Sequence, residues 1–565
     1  MTSFDAERLL FQKGTDPLEG GAPPPQPAVI EDLGMRIERN RAVTMSDGVE
    51  IYVDLFLPRN LPNPIPALVA WGPYGKHNGG NVYQQFKDES GTLGGGVDPA
   101  WISPYTTFEG PDPKRWCALG YAVINVDPRG TWWSGGEFAS IWDEREARDA
   151  ADLIAWAADE PWSNGKVGMT GVSYLAVAQW WAASIRPPAL AAINPCEGLS
   201  NVYREFSFHG GIPSEFPLFW QTHRLKYSVS KIEALAHMMA TNTLEDEYWL
   251  SKAPVLEDID VPAFVIASWS DQGLHTRGTL EAFDRIGSTD KYLEIHGRKK
   301  WEYYHQPSTV ARQKLFFDRY LKGVDNEVDR WPRVRMEIRD SFYSGYEATA
   351  DTWPLVETSR TVLHLDAASR ALTTEPAGDT AAARYGSDDG EVVFDHVFDR
   401  PTDIVGAVRL HLWVEAESAN DLDLFVALKK VNSAGELVDF AYANVLEHGP
   451  VALGWLRASR RELDASLSRD DRPWHTHTHD QPVVPGTPVD VDVEIWPSGT
   501  RFEAGDTLRL IIRGTDVYPG AALWRHIDTR NSGAHIVRTG GEFDSYLVVP
   551  TLPAVELTRW ASPDV

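Results

Sequence analysis

The chain is short of cysteine and of positive charge, and it lacks any long apolar run. Two cysteines in 565 residues, Cys117 and Cys196, cannot build a disulfide framework, and both stand in apolar surroundings that read as core. Lys and Arg number 53 against 81 Asp and Glu, which leaves a formal charge of −28. That balance argues against nucleic acid as a partner, because phosphate binding needs a basic face. No window is apolar enough to span a bilayer, so no membrane partner is expected. Residues 1–7 lack the basic-then-apolar pattern of a secretory signal, so a soluble, cytoplasmic protein is expected. The oligomeric state is open, a homo-oligomer included. Tryptophan is abundant, with 22 copies, enough to line deep apolar pockets or broad interfaces as well as core.

Residues 1–34 are polar and then rich in Gly and Pro, and read as an arm lying on the surface. Arg41–Met45 and Val49–Leu57 flank the turn signal Ser46-Asp47-Gly48, which predicts an antiparallel hairpin. Continuous apolar runs then recur at 67–71, 122–127, 167–171, 190–194, 263–267 and 292–295, with helix-period segments between several of them. The clearest is Glu144 to Asp159, with Ala147, Ala151, Ile154, Ala155 and Ala158 assigned to its apolar side. Short apolar strands alternating with helices predict an α/β domain, a mainly parallel sheet covered on both faces, over 35–197 and 259–330. Residues 198–258 interrupt the alternation and are rich in aromatic residues and Met, which predicts a helical cap. From 331 to 565, alternating strands separated by Gly, Asp, Asn and Pro predict an all-β sandwich of the jelly-roll type.

Val167 to Gly171 reads as a buried strand, Ser173 follows two residues after a glycine, and a helix begins after it. This is the layout of a nucleophile elbow, which sets a hydroxyl clear of the backbone beside helix N-terminal amides. The plainer alternative is a serine N-cap. A serine hydroxyl needs a base, and the base needs an orienting carboxylate. In such sheets both come later in the chain, past strand ends. Asp271 follows the strand at 263–267 and His296 ends the strand at 292–295, so these are the expected acid and base. His305, in the same loop as His296, is the alternative base, and His275 reads as structural because it precedes the last strand. An oxyanion needs preset donors. The Tyr174 N–H is one, and the loop Gly72-Pro73-Tyr74-Gly75-Lys76 offers the Tyr74 hydroxyl as another. Trp132, Trp133 and Trp269 are candidates for the substrate pocket, with ordinary packing as the alternative. His475, His477 and His479 alternate along the chain and would share one face of a strand, but no carboxylate or cysteine completes a metal site. No cofactor or metal is expected.

Gly72-Pro73-Tyr74-Gly75-Lys76, Asp127-Pro128-Arg129-Gly130-Thr131 with Ser134-Gly135-Gly136, Pro161 to Gly168, and Gly171-Val172-Ser173-Tyr174-Leu175 stand in series. As a set they resemble the cocaine esterase and X-prolyl dipeptidyl aminopeptidase family of α/β-hydrolases (CocE/NonD-type hydrolases). Gly454 to Ser459 and Pro485-Gly486-Thr487-Pro488 resemble that family's C-terminal β domain. The resemblance implies an α/β-hydrolase core with a cap inserted before the acid, and a C-terminal jelly roll. It implies Ser173 as nucleophile, Asp271 as acid, and Tyr74 with the Tyr174 amide at the oxyanion. Two departures stand out. Ala176 occupies a position where the family often has Gly. The loop after the last strand usually reads Gly-Pro-Trp-Ser-His, where this chain has His296-Gly297-Arg298-Lys299-Lys300-Trp301. No acidic pair for a peptide α-amine is evident. The expected activity is therefore a serine hydrolase acting on small-molecule esters or amides. The alternatives are an X-Pro dipeptidyl aminopeptidase, and a non-catalytic binder of carbohydrate or a partner protein.

Overall fold

In a computed structural model, residues 8–60, 64–87, 89, 91, 94–139, 141–356, 358–518, 525–553 and 557–559 are described. Eight strands build the sheet that carries the candidate site: β1 (Met35–Thr44), β2 (Glu50–Pro58), β3 (Ile65–Trp71), β4 (Ala122–Asp127), β5 (Ser163–Val172), β6 (Leu190–Cys196), β7 (Ala263–Ser268) and β8 (Lys291–His296). Across the sheet the order is β1-β2-β4-β3-β5-β6-β7-β8. The first two pairings are antiparallel and the rest are parallel. The β1–β2 hairpin turns at the Ser46-Asp47-Gly48 signal, with Thr44 paired to Glu50. β3, β4 and β7 are buried at every position, which is why they read as unbroken apolar runs rather than as alternation.

Helix α1 (Glu144–Asp159) packs beside α2 (Tyr174–Ser184), and α2 is buried along ten of its eleven residues. The buried stripe of α1 differs from the one expected. It runs through Ala147, Ala150, Leu153, Ile154 and Ala157, and Ala155 faces solvent. Two acids on the inner face set this rotation. Glu146 receives the Trp71 indole N–H at 2.8 Å, and Asp149 takes both arms of the Arg129 guanidinium at 2.6 Å. Helix α3 (Thr276–Arg285) follows β7. The short α4 (Lys300–His305) and the longer α5 (Pro307–Lys322) follow β8, and Gly323 closes α5 in the left-handed conformation.

Residues 198–258 hold one turn of π-helix (Tyr203–Ser207) and three helices, Phe216–Arg224, Leu235–Thr241 and Glu247–Leu250. The N-terminal arm is fastened to this segment, because Phe11–Lys13 pairs antiparallel with Lys231–Glu233. Residues 1–7 of the expected arm lie outside the described residues. A second strand of the arm, Ala28–Asp32, pairs with β1.

After residue 331 the chain is β-rich. Strand β9 (Val334–Ser341) pairs parallel with β8, so it extends the first sheet before turning into a hairpin with Ser344–Ala350. Beyond it, antiparallel pairs such as Thr402–Ala416 with Val489–Phe502, and Asp423–Val431 with Thr507–Arg513, enclose a core of their own. That core is separate from the one beneath the first sheet. Among the described residues, no helix is long and apolar enough to cross a membrane.

Candidate active site

Ser173 sits between the end of β5 and the start of α2 with φ 59° and ψ −115°. A non-glycine residue adopts such a backbone only where its surroundings enforce it. Here the Ser173 N–H donates to the carbonyls of Cys196 at 3.0 Å and Glu197 at 3.1 Å, and the Val172 N–H donates to the Glu109 carbonyl at 2.9 Å. Gly171 permits the turn, since a Cβ there would stand 2.5 Å from the Leu175 Cβ. The Ser173 side chain makes no capping bond to α2, so the N-cap alternative does not describe it. Ala176 fits where a glycine was the other option because Gly198 faces it. A Cβ added to Gly198 would come within 3.1 Å of the Ala176 methyl.

The Tyr74 hydroxyl is buried near the side chains of Ser173, Glu109 and Trp220. Burial first, and the Glu109 charge second, raise its pKa well above the usual phenol value, so Tyr74 keeps its proton and can donate it. The Tyr174 N–H opens α2, where no preceding helical carbonyl can receive it. The Tyr174 ring is pinned by its hydroxyl, which donates to Glu146 at 2.7–2.8 Å, so the backbone beside it is fixed. Aromatic rings surround the pair. Phe108 lies 5.0 Å from Tyr74, Trp142 lies 4.4 Å from Tyr174, and Trp220 from the 198–258 segment packs against both.

Asp271 stands past β7, fully buried, and its partners are His275 and Lys300. His275 Nδ1 is hydrogen-bonded to Asp271 Oδ2, and Lys300 Nζ lies 3.1 Å from the same oxygen and 3.2 Å from His275 Nδ1. Burial alone would raise the Asp271 pKa, but Lys300 and His275 outweigh it and hold the carboxyl ionised. Burial alone would lower Lys300, but the neighbouring carboxylates, Asp271 first, hold its ammonium above the usual lysine value. Glu197 is buried at the end of β6 with neither oxygen hydrogen-bonded. Burial, reinforced by the Asp271 charge, drives its pKa well up, so it is the neutral member of the carboxyl pair. A proton on Glu197 facing Asp271 Oδ1 would also satisfy an Asp271 oxygen that otherwise has no partner. Glu109, with φ 64°, receives the Trp301 indole N–H at 3.0 Å on Oε1, while Oε2 has no partner. Burial pushes its pKa up to about 7 against the pull of Lys300.

The two histidines expected as base are engaged elsewhere. His296 stacks on Tyr303 at 3.8 Å, and its Nδ1 accepts the Arg298 N–H at 3.1 Å. Its Nε2 lies 3.1 Å from Glu197 Oε1, off the line of a hydrogen bond. An Nδ1 that accepts from the backbone cannot also donate to Asp271, so the Asp271–His296 pairing expected from chain order is not formed. Burial lowers His296 to a pKa of about 3. His305 receives the Tyr83 hydroxyl on Nε2 at 2.8 Å. From the loop and helix after the last strand of the hydrolase order, the side chain that reaches the acid is Lys300.

Comparison with known proteins fits this architecture. The chain matches the model for the X-Pro dipeptidyl-peptidase (S15 family) over residues 47–230, and the model for the X-Pro dipeptidyl-peptidase C-terminal non-catalytic domain over 326–548. A solved structure of a CocE/NonD family hydrolase from Staphylococcus aureus is 36% identical, with a TM-score of 0.88 over 96% of this chain and 99% of that one. The chain belongs to the CocE/NonD hydrolase family. The cocaine esterase of Rhodococcus sp. is 25% identical over 440 residues, which is 67% of this chain and 71% of that protein. A putative serine esterase of Mycobacterium bovis is 23% identical over 90% of this chain and 96% of its own length.

Within this CocE/NonD chain the three tryptophans expected in the pocket each spend the indole N–H on the fold. Trp132 donates its indole N–H to the Pro73 carbonyl at 2.9 Å and stacks on Tyr227, so it braces the loop that carries Tyr74. Trp133 donates to Ala22 of the arm at 3.0 Å, and Trp269 to Glu337 of β9 at 2.7 Å. The His475 and His477 rings lie 5.5 Å apart, but the imidazoles of 475–479 form no group of three converging ligands among the described residues. His475 Nε2 bonds the Asp492 carbonyl at 2.8 Å, and His479 is half-exposed beside Glu462. Among the described residues, the group of candidate ligands that converges is Glu197, Asp271 and His275, and the Lys300 ammonium supplies the positive charge there. Glu109, Glu197 and Lys300 were missed from sequence, because burial of a charged side chain leaves no mark on composition. The pair Asp271 and His275, four residues apart at the start of a helix, was visible as a spacing.

Proposed function

We propose that this chain is a serine hydrolase that opens carboxylic esters through an acyl-enzyme on Ser173. The observation that carries this reading is the strained Ser173 backbone at a strand end, with its side chain released from capping and set beside the Tyr74 hydroxyl. Ser173 Oγ attacks the carbonyl carbon as its proton passes to an imidazole oriented by Asp271. The carbonyl oxygen takes the negative charge and is held by the Tyr74 hydroxyl and the Tyr174 N–H. The alcohol leaves with the transferred proton, and water then repeats the sequence in reverse to free the acid. The esterase names among the relatives support an ester substrate. The ring of Phe108, Trp142, Tyr174 and Trp220 supports a compact acyl group that is flat or apolar.

A second reading is release of dipeptides from a free N-terminus, as the matched peptidase family models suggest. It needs an acid for the substrate amine, and Glu109 Oε2, buried without a partner, is the oxygen suited to that task. Steady-state hydrolysis of p-nitrophenyl acetate against Gly-Pro p-nitroanilide separates the two. Ester turnover that Ser173→Ala lowers by on the order of 10⁴-fold or more, with little anilide cleavage, is the expected result. Full ester turnover in Ser173→Ala would end the serine reading, and efficient anilide cleavage would favour the peptidase.

A further inference from the structure

We propose that the general base for Ser173 is His275, supplied by the turn that carries Asp271, rather than a histidine from the loop after the last strand. This rests on the serine-hydrolase reading and names the one group that reading leaves open. Orientation is the first argument. A triad base must offer Nδ1 to the acid so that Nε2 is directed to the serine proton. Among the imidazoles considered, His275 has its Nδ1 on Asp271, whereas His296 Nδ1 accepts a backbone N–H and His305 Nε2 is taken by Tyr83.

Reach is the second argument. Strands in a sheet stand about 4.8 Å apart, so the acid after β7 and the serine after β5 are two spacings apart. Two hydrogen bonds of ~3 Å and an imidazole ring between them cover that gap. The intervening segment is tied to both ends. The Ser173 N–H bonds the Glu197 carbonyl at 3.1 Å, the Glu197 carboxyl and the His275 ring come within 4.8 Å of each other, and Thr279 of α3 donates to the Gly198 carbonyl at 2.9 Å.

Charge is the third argument. Lys300 also touches Asp271, but the Asp271 carboxylate beside it holds it as an ammonium, which has no lone pair to take a proton. His275 is neutral near pH 7, because burial and then the Lys300 charge lower its pKa to about 4. The groups facing it are Asp271 on its own turn, Lys300 from α4, Glu197 from the end of β6, and Glu109 beyond Lys300. Tyr442 of the β-rich region is near enough to feel the Asp271 charge, and Arg277 on α3 is paired with Glu205 and Glu494. In the step itself the serine O–H bond breaks, the O–C bond forms, and the proton moves to His275 Nε2. The same proton later goes to the leaving alkoxide. Lys300 is a positioning residue that keeps Asp271 ionised as the imidazole acquires charge.

The test is the rate of covalent labelling of Ser173 by a fluorophosphonate, which needs no knowledge of the natural substrate. On the unmodified full chain between pH 4 and 10, the expected profile falls only in acid and shows no log-linear rise above pH 8. A step near pH 7 that vanishes in Glu109→Gln belongs to Glu109 and leaves the assignment standing. His275→Gln should lower labelling at pH 7 by ~10²–10⁴-fold, the range of general base catalysis, and His296→Gln should stay within about threefold. Far-ultraviolet circular dichroism checks that each variant folds, and the unmodified profile decides if one does not. A steep alkaline rise would overturn the proposal in favour of Lys300, as would loss of labelling in His296→Gln with retention in His275→Gln in favour of His296. Absence of Ser173 labelling at every pH would overturn the serine reading itself and the proposal with it.

Discussion

Two buried carboxyl clusters flank β8, and they are built in opposite ways. On one side Glu294 receives the Tyr303 hydroxyl and Arg312 at 2.6 Å and Arg335 at 3.1 Å. Burial would raise its pKa, but the two guanidinium groups outweigh that and bring it down to about 2. This cluster lines a polar cleft of about 620 Å³ whose principal charges are paired with one another. On the other side Glu197, Asp271 and Glu109 gather near the Lys300 ammonium, which touches Asp271, and four of their six oxygens have no hydrogen-bond partner. Satisfied buried charge rigidifies a fold, whereas under-satisfied buried charge marks places where protons are moved or ligands are received. On the proposed reading the 620 Å³ cleft is the structural one, and the crowded, under-partnered cluster beside Ser173 is the chemical one.

Substitutions on the two sides should separate activity from stability. Tyr74→Phe removes an oxyanion donor and should lower kcat by ~10²–10³ in an ester assay, with thermal stability little changed. Glu294→Gln should do the reverse. It takes the carboxylate from the buried Arg312 guanidinium and leaves Arg335 with Glu347, and should cost about 3 kcal/mol in urea unfolding, while ester turnover per folded molecule is retained. The acid side carries the same sign. A carboxyl held down to about 2 contributes stability that is fully present above the ordinary carboxylate pKa of 4.5 and lost as pH falls toward 2. That contribution should be missing from the acid unfolding curve of Glu294→Gln. Smallest of all should be the stability effect of Glu197→Gln, within about 1 kcal/mol, because an amide replaces a carboxyl that is already neutral. A large loss in Glu197→Gln would mean that Glu197 is ionised and that the two clusters are alike.

Much of this frame was legible in the amino-acid order. Each parallel strand is a continuous apolar run because both faces of the sheet are covered, and Gly171-Val172-Ser173 carries the elbow in its spacing. The α1 stripe was misjudged because alanine is indifferent to burial, and the rotation is set by Glu146 and Asp149, whose inward pairing no periodicity reveals. The same blindness hid Glu109, Glu197 and Lys300. His296 stood at the expected strand end, but the Arg298 N–H decides which of its nitrogens is free, and a backbone bond of that kind follows from the loop's shape rather than from residue type. The tryptophans could be counted but not assigned. Trp132, Trp133 and Trp269 brace loops and interfaces, while Trp142 packs on Tyr174 and Trp220 on Tyr74.

The most direct test of the account is to trap the acyl-enzyme. The full chain is mixed with p-nitrophenyl acetate, quenched in acid within the first turnover, digested and sequenced by mass spectrometry. The account predicts one acetyl group, carried on Ser173 and absent from Ser173→Ala. Ester hydrolysis that proceeds with no acetyl on Ser173, or with the acetyl on another side chain, would contradict it.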